Sequence, residues 1–371
     1  MQIAKKILLL GSGHANIQVL HQLALLDQSH IKVTLISDVT NSPYSGMIPS
    51  YMAGIYKAEQ LHFDLLKICL QYKFNFIVQK VEKIEARENR VQLSDGSLID
   101  YDICSINIGI EPRTIPNEPN GQTDIIYLKP ISKLILKWDE LIERSNKSNE
   151  KIDFTVIGGG AAAFEIAIAC RRRFPDSKHK IRMITGDHQL LFSQNVSTRK
   201  LAYKNLKRLQ IDLIENVRVI KINKDELELS DGQKIPRKVC LIGTSAQASP
   251  IFRLSHLPVN HDGFVRVDEH LRIEGFQNIF AAGDCCDFTA RSLPKAGVFA
   301  VREGPILFSN IKALIDRSSF LIDYKPQKYF LTIMVSGHNR AIFSYRGFAF
   351  EGKLAWWIKN FIDLKFMKRF Q

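Results

Sequence analysis

The sequence predicts an α/β protein made of two parallel-sheet units followed by a small α+β segment, and three observations predict it. The first is residues 7–16, ILLLGSGHAN, an apolar run that breaks into Gly11-Ser12-Gly13 and then opens the amphipathic stretch 14–25. The second is residues 154–165, FTVIGGGAAAFE, which repeat that order of strand, glycine turn and helix. The third is that each start is followed by another strand, a hairpin turn and a closing strand, so both halves share one plan.

A strand covered on both faces reads as a continuous apolar run, and a helix whose first amides lack partners presents N–H groups to a phosphate. Dinucleotides bind in that geometry. Their fingerprint needs a residue for the tight turn, one for close approach of the pyrophosphate and one for helix-to-strand packing. Gly11 and Gly13 fill the first two places and Asn16 the third; in the second unit Gly158, Gly160 and Ala163 fill all three. Two turns imply two dinucleotides, hence two Rossmann-like dinucleotide-binding domains.

A chain of 371 residues, 45% hydrophobic and 24% charged, has the length for two or three domains and the composition of a globular protein. Apart from Cys285-Cys286, its six cysteines are scattered singly, which suits a reduced, cytoplasmic chain. The apolar run after Lys5 and Lys6 stops at Gly11, shorter than the roughly 7–15 residues a signal peptide needs. No apolar stretch approaches a membrane span. The net charge of +13 suits attraction of phosphate-bearing cofactors; with no base-stacking motif, no nucleic acid partner is expected, and no metal site either.

Taken in order, residues 31–36 form a second strand whose end, Ser37 and Asp38, is where an acid for the adenosine ribose belongs. Residues 41–53, NSPYSGMIPSYMA with Gly46, are a turn-rich stretch ending in a helix, near the carboxyl ends of the strands where ligands of this fold bind. Strands at 74–78, 91–93 and 101–107, with a turn at Asp95-Gly96, complete the first unit. Pro112, Pro116, Pro119 and Gly121 mark the linker 111–124. The second unit then runs through a helix at 131–144, the glycine turn, a helix ending at Arg171 to Arg173, and a strand at 181–184 that stops before Thr185. A hairpin at Asp231-Gly232 and a strand at 238–243 close it. The cations of the helix end complement its macrodipole. Residues 279–284, IFAAGD, return as an apolar strand ending in Gly283 and Asp284, before a helix beginning near Pro294. Residues 328–350 read as two strands around Gly337-His338-Asn339. The division is therefore 1–115 and 246–320 for the first domain, 125–245 for the second, and 321–371 for the C-terminal strands and helix.

The final helix, 353–370, gathers Leu354, Trp357, Ile358, Phe361, Ile362 and Leu364 on one face, with Lys359, Asn360 and Asp363 opposite. Its apolar face suits packing on the protein itself or on a second copy in a homodimer. Its tryptophans and five Lys/Arg also suit peripheral contact with an anionic bilayer.

Two dinucleotide motifs and the FAAGD strand resemble the glutathione-reductase-like two-domain flavoproteins of the pyridine nucleotide-disulfide oxidoreductase superfamily. Within it, GSGHAN, SPYSGMIP, GGGAAAFE, FAAGDC and LPKAGVFAVREG resemble the NADH-dehydrogenase-like flavoprotein found fused ahead of selenide, water dikinase. The resemblance covers essentially the whole chain and implies FAD in the first domain and NAD(P)H in the second. It implies that Gly11 and the amides of Ser12, Gly13, His14 and Ala15 hold the FAD pyrophosphate, that Val81 contacts adenine through its backbone, and that Gly109 ends the closing strand. Asp284 would accept from the ribityl hydroxyl, and Gly297 and Val298 would open the helix that faces the flavin. On the second side, Gly158, Gly159, Gly160, Ala161 and Ala163 would hold the NAD(P)H pyrophosphate. Glu165 would face the nicotinamide, and Thr185 stands where an acid would select NADH.

The cysteine pairs of the superfamily's disulfide reductases, C-x4-C or C-x2-C, are absent. Gly297-Val298 stands where quinone-reducing relatives carry Ala-Gln, a departure that weakens a quinone as acceptor. The resemblance thus implies an FAD-dependent oxidoreductase that passes electrons from NAD(P)H to an acceptor the sequence does not name, with no side chain required as acid or base. The alternative is a flavin-bearing partner or redox sensor associated with selenophosphate synthesis.

Overall fold

A computed structural model describes residues 4–116, 118–119, 124–148 and 151–370; Gly121 of the linker lies outside the described residues. Two five-stranded parallel sheets form its centres. In the first, the spatial order is Ile279–Ala281, Ile103–Ile106, Lys5–Leu10, Ile31–Ser37, Asn75–Val78. Its middle strand is the apolar run of the first motif, and Ile7, Leu8, Leu9 and Leu10 are all buried because helices or loops cover both faces. In the second, the order is Ile125–Tyr127, Val239–Ile242, Phe154–Ile157, Ile181–Ile184, Ile211–Ile214. Each sheet carries a three-stranded antiparallel sheet: Val81–Glu85, Arg90–Leu93 and Leu98–Asp100 in the first unit, Val219–Ile222, Glu226–Leu229 and Lys234–Pro236 in the second. The chain passes between units twice, and the two passes pair with each other, Glu111 opposite Gln247 and Pro112 opposite Ala246.

The third fingerprint place is filled in an unusual way. A glycine there lets helix and strand approach closely. Asn16, 1% exposed, occupies that space and pairs its polar atoms instead. Its Nδ2 donates to the carbonyls of Leu10 (3.0 Å) and Gly11 (2.9 Å), and its Oδ1 accepts from Ser105 Oγ (2.6 Å). Helix His14–Ala24 is thereby tied to two neighbouring strands of the sheet. On its other side it meets helix Gly297–Ile315, where a Cβ on Gly304 would lie 2.5 Å from Gln18 Nε2.

Three expectations are corrected. The span 340–350 is two strands, Arg340–Tyr345 and Phe348–Gly352, because Arg346 (φ 48°) and Gly347 (φ 85°) both take the left-handed conformation of a tight hairpin turn. Arg171 does more than complement a helix dipole: it is buried and donates to the carbonyls of His179 (3.0 Å) and Gln210 (3.0 Å). The final helix, Lys353–Met367, packs on the face opposite to the apolar one. Ala355, Lys359, Asp363, Phe366 and Met367 are buried, whereas Leu354 (65%), Trp357 (65%) and Phe361 (64%) are exposed.

Asn16→Gly restores the fingerprint residue yet should destabilise this chain. It leaves the buried Ser105 hydroxyl without its acceptor, at about 1–3 kcal/mol, and adds up to about 1 kcal/mol for glycine within a helix. A lowered denaturant midpoint is expected; an unchanged one would show that the carboxamide contributes nothing that glycine lacks.

Candidate functional site

At the first glycine turn, Gly11 has φ +80°, a value that L side chains rarely adopt, and its N–H bonds Ile36 O at 2.8 Å. Gly13 is required by crowding, since a Cβ there would sit 2.3 Å from Asn107 Oδ1. Asn107, in the loop after strand Ile103–Ile106, reaches across the turn. Its Oδ1 accepts from the N–H groups of Ala15 (2.9 Å) and Asn16 (3.2 Å), and its Nδ2 donates to Ala282 O (2.6 Å). The expectation for Ala15 is corrected accordingly: its amide is satisfied by Asn107 and does not point to a phosphate. Gly13 N–H likewise bonds Asn107 O at 3.1 Å. The N–H groups of Ser12 and His14 have no partner among the described residues, which leaves two donors at the positive end of a helix where a diphosphate fits.

The same carboxamide touches the other side of the pocket. Gly283, with φ +80°, could not carry a Cβ without placing it 2.6 Å from Asn107 Nδ2. Asp284 follows in a single 3-10 turn, Gly283–Cys285, and its carboxylate faces Lys129 Nζ at 3.5 Å. Among the described residues it takes no backbone N–H, so it is not a turn cap. Lys129 belongs to the second unit, and no motif marked it.

The N-terminus of helix Gly297–Ile315 closes the pocket. A Cβ on Gly297 would lie 3.6 Å from Ser45 Oγ and 3.9 Å from the His14 ring, so three sequence-distant segments meet there, with Val298 next in the helix. The His14 ring lies edge-on to Tyr44 (5.2 Å between centroids) and near Phe366 (6.1 Å). Burial, with Lys129 adding and Asp284 opposing, lowers its pKa to about 4, so it is a neutral ring at neutral pH. Gly46, on the SPYSGMIP loop, gives its carbonyl to Lys359 Nζ at 2.8 Å.

The ribose and adenine positions are looser. Ser37 is buried, with its Oγ 3.2 Å from Ser12 Oγ, while Asp38 is exposed. Val81 opens the strand after Asn75–Val78, and a Cβ on Gly109 would meet nothing within 4 Å.

At the second turn, Gly158 takes φ +138° and a Cβ on it would lie 2.5 Å from Gly243 O. Gly159 O accepts from Leu191 N (2.8 Å), and Ala161 begins helix Ala161–Arg173, on which Ala163 is buried. Gly160 has open space where its Cβ would be. Thr185 is fully buried and its hydroxyl has no partner among the described residues, so it cannot face a ribose. The acid at this strand end is Asp187, exposed and held by Arg218 Nε at 2.6 Å. Sequence spacing missed both, because an arginine 31 residues away is joined to the aspartate only by folding.

Glu165 lies between this helix and the C-terminal strands, its Oε1 accepting from Val335 N at 2.7 Å. Burial raises its pKa to about 7, against the pull of Lys359. Lys359 Nζ bonds Asp363 Oδ2 (2.9 Å), and Asp363 Oδ1 accepts from Tyr44 Oη (3.3 Å). Burial works against the charge of Lys359, but Asp363 and Glu165 more than offset it and raise its pKa. The cysteines offer no separated redox pair: all six are free and buried, and the Cys285 and Cys286 sulfurs, 3.7 Å apart, belong to adjacent residues.

Known proteins resemble this chain in sequence and fold. The chain is 24% identical over 98% of its length, and over 95% of the relative, to a type II NADH:quinone oxidoreductase of Staphylococcus saprophyticus. It is 23% identical over the same shares to that of Staphylococcus aureus. Its fold superposes on NDH2 of Plasmodium falciparum with a TM-score of 0.84, covering 99% of this chain and 96% of that one at 15% identity. The sulfide:quinone oxidoreductase of Aquifex aeolicus gives 0.80, over 99% and 91%, at 20% identity. The chain is an NADH-dehydrogenase-like flavin oxidoreductase, with FAD and a nicotinamide dinucleotide as cofactors. The family model for pyridine nucleotide-disulphide oxidoreductases matches residues 5–304, and the chain belongs to that family.

Proposed function

We propose that electrons pass from NADH through FAD to a quinone-type acceptor. The observation that carries the redox reading is the meeting of the first glycine turn, the Asp284–Lys129 pair and the N-terminus of helix Gly297–Ile315 in one pocket, with no separated cysteine pair beside it. Gly11 to His14, Gly283 and Asp284 would hold FAD, which when bound supplies the two-electron chemistry. The helix N-terminus and Lys129 supply positive potential where charge accumulates on reduction. Gly158 to Ala163 would hold the NADH pyrophosphate, Asp187 is the acid available to its ribose, and Glu165, held by the Val335 amide, would lie on the nicotinamide side. The names of the relatives support the quinone class. The link to selenide, water dikinase, and with it the reading of a flavin-bearing partner in selenophosphate synthesis, is a proposal carried by the SPYSGMIP and LPKAGVFAVREG motifs alone.

Anaerobic stopped-flow reduction with NADH and NADPH, then reoxidation by quinone analogues, ferricyanide, oxygen and selenium compounds, tests this function. Fast bleaching by NADH and turnover with quinones are expected. Bleaching without turnover on any acceptor would favour the low-turnover partner.

Gly160→Asp places a carboxylate in open space where the second pyrophosphate approaches, so it should leave FAD bound and raise the NADH concentration for half-maximal bleaching at least tenfold. Loss of FAD with normal NADH response would reverse the two assignments.

We further propose that the exposed face of the final helix rests on an anionic bilayer, making the protein peripheral to a membrane. Leu354, Trp357, Phe361 and Ile362 are its exposed apolar side chains, and Lys353, Lys365, Lys368 and Arg369 are exposed basic residues on and just beyond the helix. No helix among the described residues is long and apolar enough to cross a membrane. Deleting the helix would also remove buried Lys359, Asp363 and Phe366, so point changes are the cleaner test. Trp357→Ser with Phe361→Ser should abolish flotation with anionic liposomes at low salt while leaving the thermal midpoint unchanged. Equal flotation of variant and parent would remove the claim, and a dimer dissociated by the same changes would assign the face to a second copy.

A further inference from the structure

A second buried acid stands beside the flavin pocket. Glu303, in the second turn of helix Gly297–Ile315, is 4% exposed, and its Oε2 accepts the N–H of Gly283 at 2.6 Å. That N–H belongs to the left-handed residue immediately before Asp284. Arg302 adjoins Glu303 on the helix and acts, as Glu303 does, on Tyr324; the other charged or titratable groups around Glu303 come from neighbouring segments. Asp284 and the buried thiols of Cys285 and Cys286 lie on the turn itself. Lys295 lies just before the helix and donates to Cys286 O. Tyr324, beyond the helix, has a buried hydroxyl with no partner among the described residues. Lys129 faces Asp284 from the second unit.

We propose that Glu303 is a positioning residue for the Gly283–Asp284 turn and that it takes up a proton when FAD binds. The inference rests on the placement of FAD at this turn. A glutamine would accept the Gly283 N–H through its amide oxygen equally well, so what the carboxyl adds is its proton. Burial raises its pKa to about 7; the Gly283 N–H opposes the shift, Asp284 adds to it and Lys295 opposes it. Bringing the diphosphate anion to the first glycine turn, which Asn107 ties to the Gly283 segment, raises it further. Proton and flavin then favour each other reciprocally. With one proton linked, affinity falls as pH rises above the carboxyl's pKa in the free protein, by at most about tenfold per pH unit. His14 does not titrate in that range, since its pKa is about 4.

The full chain freed of flavin tests this. FAD affinity is measured from pH 6 to 8.5, and proton uptake at pH 7.5 by calorimetry in two buffers of different ionisation enthalpy. The wild type should take up a substantial fraction of one proton and lose several-fold to tenfold affinity per pH unit above 7. Glu303→Gln should bind FAD with a flat profile and no uptake, whereas Glu165→Gln, which removes the other carboxyl with a pKa near 7, should keep the uptake. A wild type without uptake overturns the proposal, as does a Glu303→Gln protein weakened by the same factor at every pH, which is what a purely structural role predicts. Should Glu303→Gln fail to fold, uptake in the wild type and in Glu165→Gln decides the matter. FAD binding by neither protein at any pH overturns both this proposal and the flavin placement beneath it; binding with identical pH profiles overturns the proposal alone.

Discussion

The pocket depends on one carboxamide. Asn107 caps the first helix through Ala15 and Asn16, holds Ala282 on the neighbouring return strand, and occupies the space that any side chain at Gly13 or Gly283 would need. A backbone donor left unsatisfied in a buried site costs about 1–3 kcal/mol, so this one side chain decides whether the turn and the Gly283–Asp284 strand end keep their spacing. It also explains the two glycines more fully than phosphate approach does. They leave room for a ligand on one side and for Asn107 on the other, so a substitution at Gly13 would disturb the fold before it met a phosphate.

The C-terminal segment is joined to both units through buried polar atoms. Glu165 of the second unit takes the Val335 amide, Lys359 takes the Gly46 carbonyl of the first unit, and Asp363 takes the Tyr44 hydroxyl. Lys359 is bonded to Asp363 and attracted by Glu165 from farther off, and burial raises the pKa of both acids, so the cluster is close to neutral when Glu165 holds its proton. The SPYSGMIP loop is thus clamped between helix Gly297–Ile315 and the C-terminal helix.

The parallel sheets were legible because a buried strand leading into a glycine turn is a local pattern: residues 7–16 and 154–165 show it within a dozen positions each. Asp284 was legible as the end of a strand, whereas Gly297 came only with the family resemblance, since the pattern put the helix start near Pro294, which lies outside the helix. Lys129, Asn107, Glu303 and the Asp187–Arg218 pair were not, since each acts on a residue brought to it only by the sheet order. Thr185 shows the converse error. It follows the strand end, yet it is packed inside the fold, and the acid two positions on, beyond the strand, faces solvent. The second antiparallel sheet announced itself only by Asp231-Gly232, because its strands alternate charge and aliphatic residues over four positions or fewer.

The inverted packing of the final helix has an energetic logic of its own. Burying a large apolar side chain is worth about 1.5–3 kcal/mol, so leaving Leu354, Trp357 and Phe361 in water forgoes several kcal/mol that a simple rotation of the helix would recover. Rotation is opposed by the other face. Lys359 and Asp363 are hydrogen-bonded to each other and to Gly46 and Tyr44, and breaking a buried pair of this kind costs about 3–5 kcal/mol. An ion pair is nonetheless a poor substitute for a greasy contact in folding energy, since well-packed apolar residues in its place are often as stabilising. An outward apolar face of this kind suits cover by another apolar surface. On the membrane reading, the bilayer supplies the burial that the protein interior forgoes, and the polar clamp keeps the helix in register on the pocket while its other side changes solvent.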